Sequence, residues 1–177
     1  ILRCAGGSLL QRGAVECAFF NIFTTLNLEP FDQAAARELV EEPARLEGKS
    51  FDQTLVECMV GLAGGSPYLL ELTASIAYDL REGGTVSESA ISGHALSEAW
   101  EYLEDLWGNA FSKPEKRVLL RVSEGKRPPR KLQYAVERLE HAGILGSING
   151  ELQFQEGLLG LYVSHAVGNS FLRRLFT

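Results

Sequence analysis

Cysteine is scarce: Cys4, Cys17 and Cys58 are the only three in 177 residues. They are odd in number, far apart and form no CxxC pair, which excludes a disulfide frame or a cysteine zinc site and leads us to expect reduced thiols in a cytoplasmic protein. His94, His141 and His165 are equally scattered and fit surface or helix-end positions better than ligand positions. No apolar run approaches the roughly 18 residues of a membrane span, and no secretory signal is present, so no membrane partner is expected. A G-x-x-x-x-G-K-[ST] phosphate loop is missing, as is an acidic run at a strand end for magnesium. Without these, residues 1–177 alone are expected neither to hold ATP tightly nor to hydrolyse it, and no cofactor is expected for them. No nucleophile–base pair, internal repeat or low-complexity segment stands out.

What is present is a chain able to bury a core: 45% hydrophobic and 23% charged, with enough length to dispense with metal or disulfide staples. The net charge of −6 hides an asymmetry. Residues 1–111 carry 6 basic and 17 acidic side chains, a balance of −11, whereas residues 112–177 carry 11 basic and 6 acidic, a balance of +5. Opposite signs suggest two modules that attract each other or a basic one that meets an anionic partner. The start on Ile1, inside what reads as a buried strand (Ile-Leu-Arg-Cys-Ala), leads us to expect a fragment lacking its amino-terminal part.

The hydrophobic pattern predicts mainly helix. Short apolar stretches at 1–5 and 19–28 lean towards strand. A helix capped by Asp32 is expected to end at Pro43, and a second runs from Asp52 to Ala63 with Leu55, Val56, Met59, Leu62 and Ala63 on one face. Ser66-Pro67 opens a third, with Ser66 as the expected cap and a stripe of Leu69, Leu72, Ile76 and Leu80. A fourth covers residues 87 to 110 with a break expected near Gly93, burying Leu96, Trp100, Leu103 and Trp107. Ser112-Lys113-Pro114-Glu115 is a capping box opening a helix with Val118, Leu119 and Val122 inside. Another helix carries Leu132, Ala135, Val136 and Leu139 up to Gly143. Two short strands follow, 144–148 and 152–155, joined by the Asn149-Gly150 hairpin signal. A last helical stretch begins near Leu158.

Helix, loop, helix, glycine, strand, tight turn, strand is the order of a winged helix. The outward positions of its second helix would be Gln133, Tyr134, Glu137, Arg138, Glu140 and His141. The two glutamates are unfavourable against a DNA groove. Lys126, Arg127, Arg130 and Lys131, the end of a basic cluster that begins at Lys113, are candidates for phosphate contact together with Arg138. A docking surface for protein is the other reading of this module.

The order of pieces before that module resembles the end of the nucleotide-binding core and the lid of AAA+-type ATPases of the signal-transduction (STAND) branch. The segments that carry the resemblance are Asn21-Ile22-Phe23, Leu28-Glu29-Pro30-Phe31, the helix Ala36 to Ala44 with Pro43, and Ala63-Gly64-Gly65-Ser66-Pro67-Tyr68-Leu69-Leu70-Glu71. It covers about residues 1–154. It implies a mainly α fold: residues 1–28 ending the core, a helical lid over 29–93, and over 94–177 a winged helix with a short β-hairpin wing and a leading linker helix. Gly65, Ser66, Pro67 and Tyr68 would stand where the family's Gly-x-Pro step touches the nucleotide, and Arg3 or Ser8 would be the sensor of its phosphates. The implied cofactor is ATP or ADP with magnesium in the parent protein. The implied partners are the missing core and proteins reached through the winged helix. Residues 64–71 hold no arginine, unlike conventional AAA+ lids, which favours the signalling branch. The alternative is a winged-helix DNA-binding transcriptional regulator.

Overall fold

The computed structural model describes residues 30–84 and 86–168. Among these, eight α-helices and one two-stranded antiparallel sheet make a mainly α fold. The strand-like stretches read at 1–5 and 19–28, the sensor candidates Arg3 and Ser8, and residues 171–176 lie outside the described residues.

Helices α1 (Gln33–Leu46), α2 (Gln53–Ala63) and α3 (Pro67–Glu82) pack on one another. Asp32 and Asp52 cap the first two, each accepting the amide three residues on, from Ala35 at 2.8 Å and Leu55 at 2.9 Å. Pro43 does not end α1, as its sequence suggested; it lies inside the helix. Pro43 sits on the exposed side, where the carbonyl its ring leaves free can be solvated, while Val40 and Ala44 keep the opposite face buried. The stop comes at Gly48 with φ of 70°: its amide bonds Arg45 O, and Lys49 N–H reaches back to Ala44 O at 2.8 Å, a Schellman closure. On α2, all five residues predicted for its inner face are buried. On α3 the buried set is Leu69, Leu70, Thr73, Ile76 and Ala77, with Leu72 and Leu80 half-buried at its margin. The Thr73 hydroxyl satisfies itself on Leu69 O at 2.9 Å.

Helices α4 (Glu88–Glu98) and α5 (Trp100–Asn109) meet at Ala99, not at Gly93. Gly93 is exposed in the middle of α4, and its propensity cost of about 1 kcal/mol is outweighed by the burial of Ile91 and Ala95 on either side. The turn at the fully buried Ala99 brings Trp100 edge-on to Tyr162, with ring centroids 4.9 Å apart.

Helices α6 (Lys113–Ser123) and α7 (Gln133–His141) are joined by a loop ending in a 3-10 turn at Arg130–Leu132. Strands β1 (Leu145–Ile148) and β2 (Glu151–Phe154) pair with Ile148 opposite Glu151. Between them Asn149 and Gly150 both take positive φ, 53° and 82°, as the two-residue turn requires. Helix α8 (Gly157–Gly168) packs against α2, α4, α5, α6 and β2. It therefore stitches the first helices and the α6–β2 unit around one hydrophobic cluster that runs from Ala36 to Ala166.

The start of α8 lies directly on the end of α2. A Cβ on Gly157 would sit 2.7 Å from Gly61 O and 3.2 Å from Leu62 Cα, both backbone atoms that cannot swing away. Gly157→Ala is expected to cost about 1–2 kcal/mol, the overpacking penalty less the usual gain of Ala over Gly in a helix. Urea unfolding checks it: a variant as stable as the parent would mean that the two backbones separate freely.

Candidate functional site

The Gly65–Tyr68 step is held from below by Pro30 and Phe31. Phe31 N–H donates to Gly65 O at 2.9 Å. A Cβ at Gly65 would lie 2.5 Å from Phe31 O and 2.6 Å from Pro30 Cβ, so only glycine allows this approach. Two motifs 35 residues apart in the chain thus meet in space. Pro67 occupies the first helical position of α3, where its missing N–H costs nothing. Ser66 stands at the cap position, but its hydroxyl makes no cap hydrogen bond, which corrects the capping role read from sequence. The first-turn amides of α3 are therefore not engaged by that side chain and keep the positive end of the helix dipole open. Tyr68 is 47% exposed and its ring lies 5.0 Å from that of Tyr102, itself 39% exposed, at 56°. The arrangement offers an anion a helix start and offers a flat apolar group an aromatic face.

The second candidate surface lies on α6, α7 and the hairpin. A groove of about 510 Å³ runs between the α6–α7 loop, α7 and the hairpin, with Lys126, Arg127, Glu140 and Glu151 around apolar Val136 and Leu152. Its charges are mixed. Lys126 pairs with Glu124 at 2.8 Å, and Arg130 and Lys131 are exposed on the 3-10 turn. Arg138 is exposed on α7, as its spacing implied, and its Nε also approaches Glu115 Oε1 at 3.3 Å. Glu115 is 5% exposed and also accepts the Ser112 N–H at 2.7 Å and the Ser112 hydroxyl at 2.5 Å. The carboxylate of the capping box thus fixes both the start of α6 and the orientation of α7. Glu137 and Glu140 stand exposed on α7, as their spacing implied.

Chemistry of other kinds finds little here. Cys58 is half-buried, and burial with nearby Glu88 pushes its thiol above the usual range, the reverse of an activated nucleophile. Among the described residues no three His, Cys, Asp or Glu side chains gather as a metal site, and no helix is long and apolar enough to cross a membrane.

Sequence reasoning missed Glu156. It directly precedes α8, is half-buried, and its buried Oε2 has no hydrogen-bond partner among the described residues. Burial pushes its carboxyl up to about 7. The only hint in sequence is a single acid between Phe154 and the apolar run Gly157-Leu158-Leu159. The chain matches no family model, no curated protein and no solved structure.

Proposed function

We propose that this chain is the regulatory lid and winged-helix portion of a nucleotide-dependent signalling ATPase of the STAND type, closing over ATP or ADP held with magnesium by a core elsewhere in the protein. The observation that carries the reading is the contact of Gly65 with Pro30 and Phe31, since the two segments that resemble the family's Leu-x-Pro and Gly-x-Pro steps lie against each other. In this reading the α3 start and the Tyr68 ring face the nucleotide. Residues 1–28 end the core. A lid boundary at residue 93 would cut α4, so the division between lid and winged helix is drawn at Ala99. A nucleotide that contacts the lid differently as ATP and ADP would then move α6–α8 relative to the core, a hinge-type switch.

The reading frame upstream of the Ile1 codon provides the test. A phosphate loop roughly one domain earlier is expected, and in that longer protein an azido-adenine nucleotide should label the 65–68 peptide. A frame without such a loop, or label confined to the core, overturns the proposal.

Sequence-specific DNA reading is disfavoured on this surface. Arg138 is engaged by Glu115, and Glu137 and Glu140 would face an anionic groove. Lys126, Arg127, Arg130 and Lys131 still allow weak attraction that falls steeply with salt. Selection from a random duplex pool at about 150 mM salt is expected to enrich no site. One enriched motif, lost in Arg138→Ala, would replace the signalling reading with a transcriptional regulator.

A further inference from the structure

Residues 155–157 lie close against the end of α2, where two glycines leave no room for side chains of their own. A Cβ at Gly64, where φ is +61°, would meet Gln155 O and Glu156 Cγ, both at 2.8 Å, and one at Gly157 would meet Gly61 O at 2.7 Å. Glycines on both sides thus draw the chain so close that Glu156 is trapped in the seam. Its Oε2 is shielded from solvent and unpartnered among the described residues.

Among the cations on the elements around α8, Lys113, Arg117 and Arg121 of α6 and His94 of α4 are exposed, and Lys116 of α6 donates to Gly108 O. Glu57 of α2 pairs with Arg37, Glu88 of α4 lies by Cys58, and Glu104 of α5 faces the Tyr162 phenol. Glu115 of α6 bonds Ser112 and Arg138, and Glu151 of β2 is exposed. Burial alone sets the state of Glu156, raising its carboxyl to about 7. A charge on Oε2 would be shielded from water and would have no partner among the described residues to stabilise it.

We propose that Glu156 is a proton-operated latch on the α2–α8 seam: its neutral carboxyl permits the closed contact, and its ionisation releases residues 155–157 from the end of α2. The contact joins the helices of the first half to the hairpin, so whatever the protein senses, its two halves are coupled more tightly at slightly acid than at slightly alkaline pH. The inference stands on the seam itself and does not depend on the nucleotide reading.

Amide hydrogen exchange of the whole chain tests it. The Gly160 N–H bonds Glu156 O at 3.2 Å, and the Gly64 N–H bonds Val60 O at 2.8 Å, so both amides report on the seam. After correction for the intrinsic rate, protection at these amides should fall about tenfold from pH 6 to pH 8, as a carboxyl ionising near 7 when closed and near 4.5 when open requires. In Glu156→Gln, protection should be flat over that range. Equal pH dependence in the parent and the variant would overturn the proposal. Carbon NMR of the Glu156 carboxyl in the parent keeps the test independent of how the variant folds: a midpoint near 7 supports the latch, and one near 4.5 overturns it.

Discussion

Leu159→Ala is expected to lower the unfolding free energy by about 3–5 kcal/mol, near the upper end for a buried leucine. Leu158 and Leu159 are both fully buried, and Tyr162, Val163 and Ala166 continue the same face. That pattern of neighbours plus i+4 steps makes a wide apolar face, which is what a helix packed on several sides needs. Because α8 touches α2, α4, α5, α6 and β2, the cavity left at residue 159 has walls from both halves of the molecule. Rigid packing on so many sides limits collapse, and limited collapse is what raises the cost of a cavity. The Trp100 ring on Tyr162 supplies a fluorescence probe beside α8, and far-ultraviolet circular dichroism follows all the helices. The two transitions in urea should coincide in the parent and shift together in the variant. If fluorescence moved while circular dichroism kept most of its amplitude at the parental midpoint, α8 would not be the shared core that its packing describes.

Local rules made much of this fold legible in advance. Asp32 and Asp52 before apolar-periodic segments, Pro67 at a helix start, Ser112 with Glu115 three residues on, and Asn149-Gly150 between apolar runs each determine a few backbone torsions, and each lies where its chemistry demands. The misreadings have a common cause in tertiary context. Pro43 breaks a helix only when nothing else holds the flanking turns, and here Val40 and Ala44 are buried against neighbouring helices. Gly93 has a weak helix propensity, but the kink goes to Ala99, where turning the chain brings Trp100 to Tyr162. Propensity is worth about 1 kcal/mol per residue, and burial of one large side chain is worth more.

The candidate site was legible only as separate motifs. Gly65-Ser66-Pro67-Tyr68 could be picked out in one dimension, but its contact with Pro30 and Phe31 and the pairing of Tyr68 with Tyr102 depend on how helices cross. Arg138 was legible as an outward base, and it is exposed. Its engagement by Glu115, 23 residues earlier, is set by the angle between α6 and α7. Glu156 was invisible for the same reason: an acid beside a turn is ordinarily solvated, and only the glycine seam with α2 shields its Oε2.

Between pH 5 and pH 8 the protein should lose about 2–3 kcal/mol of stability through Glu156 alone. The folded carboxyl holds its proton up to about 7, whereas the unfolded chain releases it near 4.5. Across that interval the folded state binds more protons, so raising the pH favours unfolding. The contribution is fully present below about 4.5 and is gone once the pH has passed about 7. The surface carboxyl of Glu42 works in the opposite sense, since its hydrogen bond from Arg45 lowers its ionisation range, and its effect belongs to pH values below this window. Every other ionisable group is common to the parent and the variant, so the difference between the two isolates Glu156. Urea unfolding at pH 5.5 and pH 8 should show the parent less stable at the higher pH and Glu156→Gln nearly level. At pH 8 the variant should be the more stable of the two, because a neutral amide in the seam avoids the uncompensated charge. Parallel curves, with the variant less stable at both pH values, would show that the carboxylate finds a partner or water in the folded protein.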